Sequence, residues 1–209
     1  MFPTEEIVKI ANERLNTSYS PNDVKYCKDN TEDSNIVLKL GETHIAKLYW
    51  RKVDYDTEKA AVEKLKGCYF LVDDYTFIEC QYNQTSYCLM LCKYVSGRTL
   101  LEYFKEYNAL PTNFLEGYFE PRIEMLKHGV DDGDYKLDSL LWLPDGSVKK
   151  FDFDVVRLTD LLDLYQIQHL EESYNMLKQG SQVAWKALLD KPCFWGIPRS
   201  CFDEYRSKL

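Results

Sequence analysis

Positive charge is the first thing this sequence is short of: Lys and Arg total 26 against 34 Asp and Glu, a net charge of −8. No run of five basic residues occurs in it. Such a balance repels nucleic-acid backbones and anionic headgroups, which argues against a general nucleic-acid or membrane-surface role. Long apolar runs are also missing; none approaches membrane-spanning length, so no membrane insertion is expected. Met1-Phe2-Pro3-Thr4-Glu5-Glu6 lacks the charged start and apolar stretch of a signal peptide. The seven cysteines include no C-x-x-C pair, and none has a histidine partner at metal-ligand spacing. Free thiols in a reducing compartment follow, hence an intracellular, cytoplasmic protein, with a host cell as one possible setting. There is no internal repeat, low-complexity segment or flexible linker.

What is present centres on Gly133 to Asp154. Asp134 opens this stretch, Lys136 and Ser139 follow, and an apolar strand reaches a Pro144-Asp145-Gly146 turn. A second strand ends in Asp152-Phe153-Asp154. Two carboxylates at the ends of one hairpin suit phosphoryl transfer, in which one orients a hydroxyl and the other holds a metal. The same pattern also describes an ordinary β-hairpin.

The order D-x-K-x-x-S, strand, turn, strand, D-F resembles the catalytic and metal-binding loops of the protein-kinase-like superfamily. The resemblance implies that Asp134 is the catalytic base, Lys136 the loop lysine, Asp152 the Mg²⁺ ligand (or Mn²⁺ ligand) and Ser139 a weaker metal contact. Upstream, Thr43 to Tyr49 resembles the strand that carries the phosphate-binding lysine. Lys47 takes that role, and Glu58, on a helix expected over Thr57 to Leu65, is its partner. Tyr87 to Leu100 resembles the fifth strand and hinge, so Lys93, Tyr94 and Val95 are expected to offer backbone groups to the adenine of ATP. Departures are clear: Asp132 and Gly133 stand where kinases have His and Arg, and Ser139 where they have Asn. Asp154 takes the place of the last glycine of that motif. The connector 28–35 carries three acids and no glycine, and only seven residues separate Asp152 from Asp160, the expected start of the next long helix.

The expected fold is therefore α+β, a bilobal protein-kinase-like fold. Residues 1–96 form a small β-rich N-lobe with an accessory helix capped by Thr4, and 97–209 a minimal, mostly helical C-lobe. Further expectations are a strand over Cys68 to Val72, another over Tyr75 to Cys80, and a helix over Asn113 to His128 that Pro121 kinks or begins. Helical segments are also expected from Leu161 to Leu177, over Val183 to Leu189 and over Phe202 to Leu209. The implied function is a reduced phosphotransferase moving the ATP γ-phosphate to a protein Ser/Thr hydroxyl under control of a protein partner. The alternatives are a pseudokinase that acts as a protein-binding module and a small-molecule kinase. A cysteine-based enzyme finds no recognisable Cys–His context in the sequence.

Overall fold

The computed structural model describes residues 3–27, 35–107, 111–159, 168, 170–171 and 199–208. The chain divides into two compact units, Met1–Val62 with Val72–Ser96, and Glu63–Leu71 with Gly97–Leu209. The connector 28–34, Asp160 and nearly all of the helical segments expected from Leu161 to Leu189 lie outside the described residues.

The first unit is built on strand alternation. Strands β1 (Val24–Tyr26), β2 (Ile36–Leu40), β3 (His44–Tyr49), β4 (Thr76–Tyr82) and β5 (Thr85–Lys93) form an antiparallel sheet in the order β1-β2-β3-β5-β4. Because side chains alternate across a strand, Leu38 and Leu40, Ala46 and Leu48, and Leu89 and Leu91 line one face. There they bury Ile7 and Ala11 of helix α1 (Thr4–Leu15). Tyr49, Cys88, Met90 and Cys92 line the opposite face with Tyr55 of helix α2 (Lys52–Lys64). Lys47 shares the parity of Tyr49, and register pairs it with Met90 on β5 and Val37 on β2. The accessory helix and the lysine are thus on opposite sides of the sheet.

The second unit contains β6 (Arg98–Thr99), α3 (Leu100–Tyr107), α4 (Phe114–Lys127), β7 (Val130–Asp132), β8 (Leu140–Trp142), β9 (Val148–Lys150), β10 (Val156–Leu158) and α5 (Arg199–Arg206). Thr99 and Glu102 close a capping box on α3: the Glu102 N–H donates to Thr99 Oγ1 at 3.0 Å and the Thr99 N–H to Glu102 Oε2 at 2.8 Å. The expected hairpin is β8–β9, with Gly146 of its turn at φ +83°.

Three sequence expectations are corrected, and an alternative left open at Pro121 is decided. Helix α2 begins at Lys52, ahead of Thr57, because Arg51 makes two hydrogen bonds to Asp54 (2.9 and 2.7 Å) and Lys52 reaches Asp56 at 3.0 Å across the first turns. Residues Cys68 to Val72 form no strand. The Cys68 N–H closes a turn on Leu65 O, and Leu71 makes a single parallel bridge to Lys150 inside the second unit. Thr4 is the first helical residue and not the cap, which is Pro3. Pro121 is buried inside α4 and does not start it. Among the described residues no helix is long and apolar enough to cross a membrane.

Candidate functional site

In the first unit, strand parity points Lys47 toward α2, and Lys47 Nζ meets Glu58 Oε2 at 2.8 Å with both side chains buried. Tyr49 donates its hydroxyl to the same oxygen at 2.7 Å. Next to this pair, burial pushes the Cys92 thiol up to about 12, Glu58 adding to the effect and Lys47 opposing it. That thiol is inert at neutral pH. Burial raises Cys27, Cys80 and Cys88 as well, the reverse of what a nucleophilic cysteine needs.

The expected adenine-binding stretch is narrower than its sequence suggests. The Lys93 N–H donates to Asp73 O at 3.1 Å and the Tyr94 N–H to Thr43 O at 2.7 Å. These two amides serve the unit's own loops, which leaves the Val95 amide and the carbonyl oxygens of the stretch as the groups to offer a nucleotide edge.

In the second unit the loop from Asp132 to Asp154 is pinned by buried charge. Arg122 of α4 meets Asp131 of β7 at 2.6 Å, and Lys150 Nζ lies 3.0 Å from Asp132 Oδ2, with all four side chains buried. Asp132 Oδ1 accepts the Asp134 N–H at 2.9 Å. Lys150 also donates to the carbonyls of Phe151 (2.6 Å) and Asp152 (2.9 Å). One fully buried ammonium therefore ties the start of the loop to the backbone that presents Asp152. Asp152 has φ +67°, a left-handed conformation that L-residues adopt at a cost and that aspartate tolerates better than most.

Asp134, half exposed, is hydrogen-bonded by Lys136 Nζ at 2.6 Å. Burial works to lower the Lys136 pKa, but the hydrogen bond to Asp134 and the charge of Asp138 carry it upward. Burial also raises Asp138, against the pull of Lys136. The buried Ser139 hydroxyl donates to Lys136 O at 3.0 Å, so its oxygen keeps acceptor capacity. The structure thus gathers Asp134, Lys136, Ser139 and Asp152 on one loop-and-hairpin of the second unit, and Lys47 with Glu58 in the first.

Sequence reasoning missed Lys150, Arg122 and Asp131. The sequence carried little signal for them: Asp131 and Asp132 make up two thirds of the short strand Val130–Asp132, and only its complete burial creates the need for two buried cations. It also missed one cluster, for Cys68 Sγ lies 4.0 Å from His128 Nε2, a Cys–His context concealed by a sequence separation of 60. No protein-family model matches the chain, and no curated protein matches it at a significant level.

Proposed function

We propose that the chain is a reduced protein-kinase-like phosphotransferase that moves the γ-phosphoryl group of ATP to a Ser/Thr hydroxyl of a protein, under control of a protein partner. The buried Lys47–Glu58 pair is the observation that carries this reading. Burying two charges costs about as much as their attraction returns, and apolar residues of similar volume would serve stability as well or better. An ammonium held by Glu58 on a sheet face otherwise made of Tyr, Met, Cys, Ile and Phe is therefore better explained by a use for its charge than by packing.

In this reading Lys47 orients the ATP phosphates. Asp152, with Ser139 as a neutral second contact, supplies hard oxygen ligands suited to Mg²⁺ or Mn²⁺, and the ion neutralises charge on the phosphates when bound. Asp134 orients the acceptor hydroxyl and takes its proton as the new O–P bond forms and ADP leaves. In the same reading Lys136, 2.6 Å from Asp134, meets the transferring phosphoryl group. Lys150 holds the backbone behind Asp152.

A second reading, a pseudokinase that binds a protein partner, draws support from the commitment of the Lys93 and Tyr94 amides to internal bonds and from Ser139 in place of a stronger metal ligand. A thermal-shift titration with ATP, with and without Mg²⁺ or Mn²⁺, separates the two. Metal-dependent stabilisation that disappears in Lys47→Met is the expected result. A melting temperature indifferent to nucleotide at millimolar ATP leaves the pseudokinase.

A further inference from the structure

Outside the proposed phosphotransfer site, the second unit brings together three side chains of metal-ligating chemistry. Cys68 stands on the turn that follows α2. Glu124 lies on the last turn of α4, and His128 is the residue on which that helix ends. One ligand atom from each lies within 4.8 Å of the other two, and Cys68 Sγ is 4.0 Å from His128 Nε2. Cys68 and Glu124 are partly buried and His128 is exposed, so the cluster opens to solvent.

A second observation concerns the protonation of the imidazole. His128 Nδ1 is 2.9 Å from the Glu124 carbonyl oxygen. A carbonyl can only accept, so Nδ1 carries the proton and the neutral ring keeps its lone pair on Nε2, the nitrogen facing the thiol. Imidazoles that bind metals are held in the same way, one nitrogen donating to a carbonyl or carboxylate and the other ligating. The backbone on both sides is hydrogen-bonded. The Cys68 N–H is bonded to Leu65 O and the Leu71 N–H to Cys68 O, while Gly129, at φ +69°, closes on Thr159 through the Thr159 N–H. A Cβ on Gly129 would come within 2.1 Å of Thr159 O, so the backbone after His128 packs directly against Thr159.

We propose that Cys68, Glu124 and His128 form a binding site for a borderline divalent cation, Zn²⁺ above all, with water in the fourth position. Thiolate, imidazole and carboxylate are the donor set that Zn²⁺ selects, and three protein ligands with an open position match its tetrahedral preference. On binding, the Cys68 thiol releases its proton to solvent as the S–Zn bond forms, and no electron changes hands. The ion clips the segment Glu63–Leu71 to the end of α4, three residues before Asp131 and its buried pair with Arg122. Occupancy stabilises the strand that leads into the Asp134 loop.

The test uses the full chain, reduced with a thiol-free phosphine and freed of metal. Titration with Zn²⁺ against a chromophoric chelator is expected to give one ion per chain, and Co²⁺ the near-ultraviolet charge-transfer band of a cobalt–thiolate bond. Zn²⁺ should protect Cys68 from iodoacetamide, read by peptide mass mapping, while the solvent-accessible Cys27 is alkylated at the same rate with and without Zn²⁺. Cys68→Ser retains a hydroxyl able to hydrogen-bond His128, yet it should lose the cobalt band, and His128→Gln should weaken Zn²⁺ binding at least tenfold. Absence of stoichiometric Zn²⁺ binding overturns the site, as does a cobalt–thiolate band that persists in Cys68→Ser. Because alkylation protection is measured on the unaltered chain, a variant that fails to fold does not shelter the proposal: Cys68 alkylated equally fast with and without Zn²⁺ refutes it.

Discussion

At the scale of single residues, Asp152 and Lys150 are the positions where structure and chemistry can be separated. A non-glycine residue at φ +67° pays about 1–2 kcal/mol for that conformation. Asp152→Ala should therefore be less stable than Asp152→Gly by about 1 kcal/mol in urea unfolding, although both delete the carboxylate. Metal-dependent ATP binding should be lost equally in the two, and a variant that kept it would remove Asp152 from the metal's ligands. Lys150 is a different case, because its ammonium is buried against Asp132 and two carbonyls. Lys150→Met leaves a buried carboxylate without its cation, a loss of about 3–5 kcal/mol. Adding Asp132→Asn should restore a large part of it. A double variant no more stable than the single one would show that the pair with Asp132 is not what Lys150 contributes.

At the scale of elements, α4 and the β8–β9 hairpin approach too closely for a side chain at Gly117. A Cβ there would sit 2.6 Å from Val148 Cγ2 and 2.9 Å from Trp142 Cζ3. Glycine inside a helix normally costs about 1 kcal/mol relative to alanine, so Gly117→Ala would be stabilising if the helix stood alone. Overpacking costs about 1–3 kcal/mol and reverses the sign here, so denaturant unfolding should find Gly117→Ala less stable than the parent. A stabilised variant would mean that the hairpin can move away from the helix. The hairpin itself was legible, since a Pro-Asp-Gly turn between apolar runs has only one common outcome. The start of α2 was not, because it depends on side-chain pairs from Arg51 and Lys52 that do not follow from apolar periodicity.

At the scale of the whole molecule, the proposed phosphotransfer gives the acceptor and the nucleotide different residues. Asp134→Asn should abolish phosphoryl transfer yet leave the ATP-dependent thermal shift nearly intact, because in the proposed mechanism this carboxylate serves the acceptor hydroxyl and not the nucleotide. Transfer that survived in this variant, measured with γ-labelled ATP, would remove Asp134 from the mechanism. Only seven residues lie between Asp152 and Asp160, too few for a phosphorylatable loop that also docks a peptide. The isolated chain is therefore expected to turn over generic peptides slowly and to be accelerated by a protein that binds its competent conformation.

What the sequence determined alone is what short-range pattern can encode. Alternation along β3 separates Ala46 and Leu48 from Lys47 and Tyr49, whereas the pairing of that lysine with Glu58, which meet at 2.8 Å, was implied only by the resemblance to the kinase-like strand and helix. The mixture of strands and helices follows from the same periodicities, while the antiparallel order of the sheet does not. Tertiary structure alone decided which distant groups became neighbours. Lys150, on an exposed-looking Val-Lys-Lys strand, is buried because Asp132 arrives beside it, and Arg122 is buried because Asp131 does. Cys68 meets His128 because the turn after α2 packs in the second unit and not as a strand of the first. Periodicity records which face of an element is apolar, whereas a buried charge or a Cys–His contact is fixed by its partner, and the partner is chosen by the packing of elements far apart in the chain.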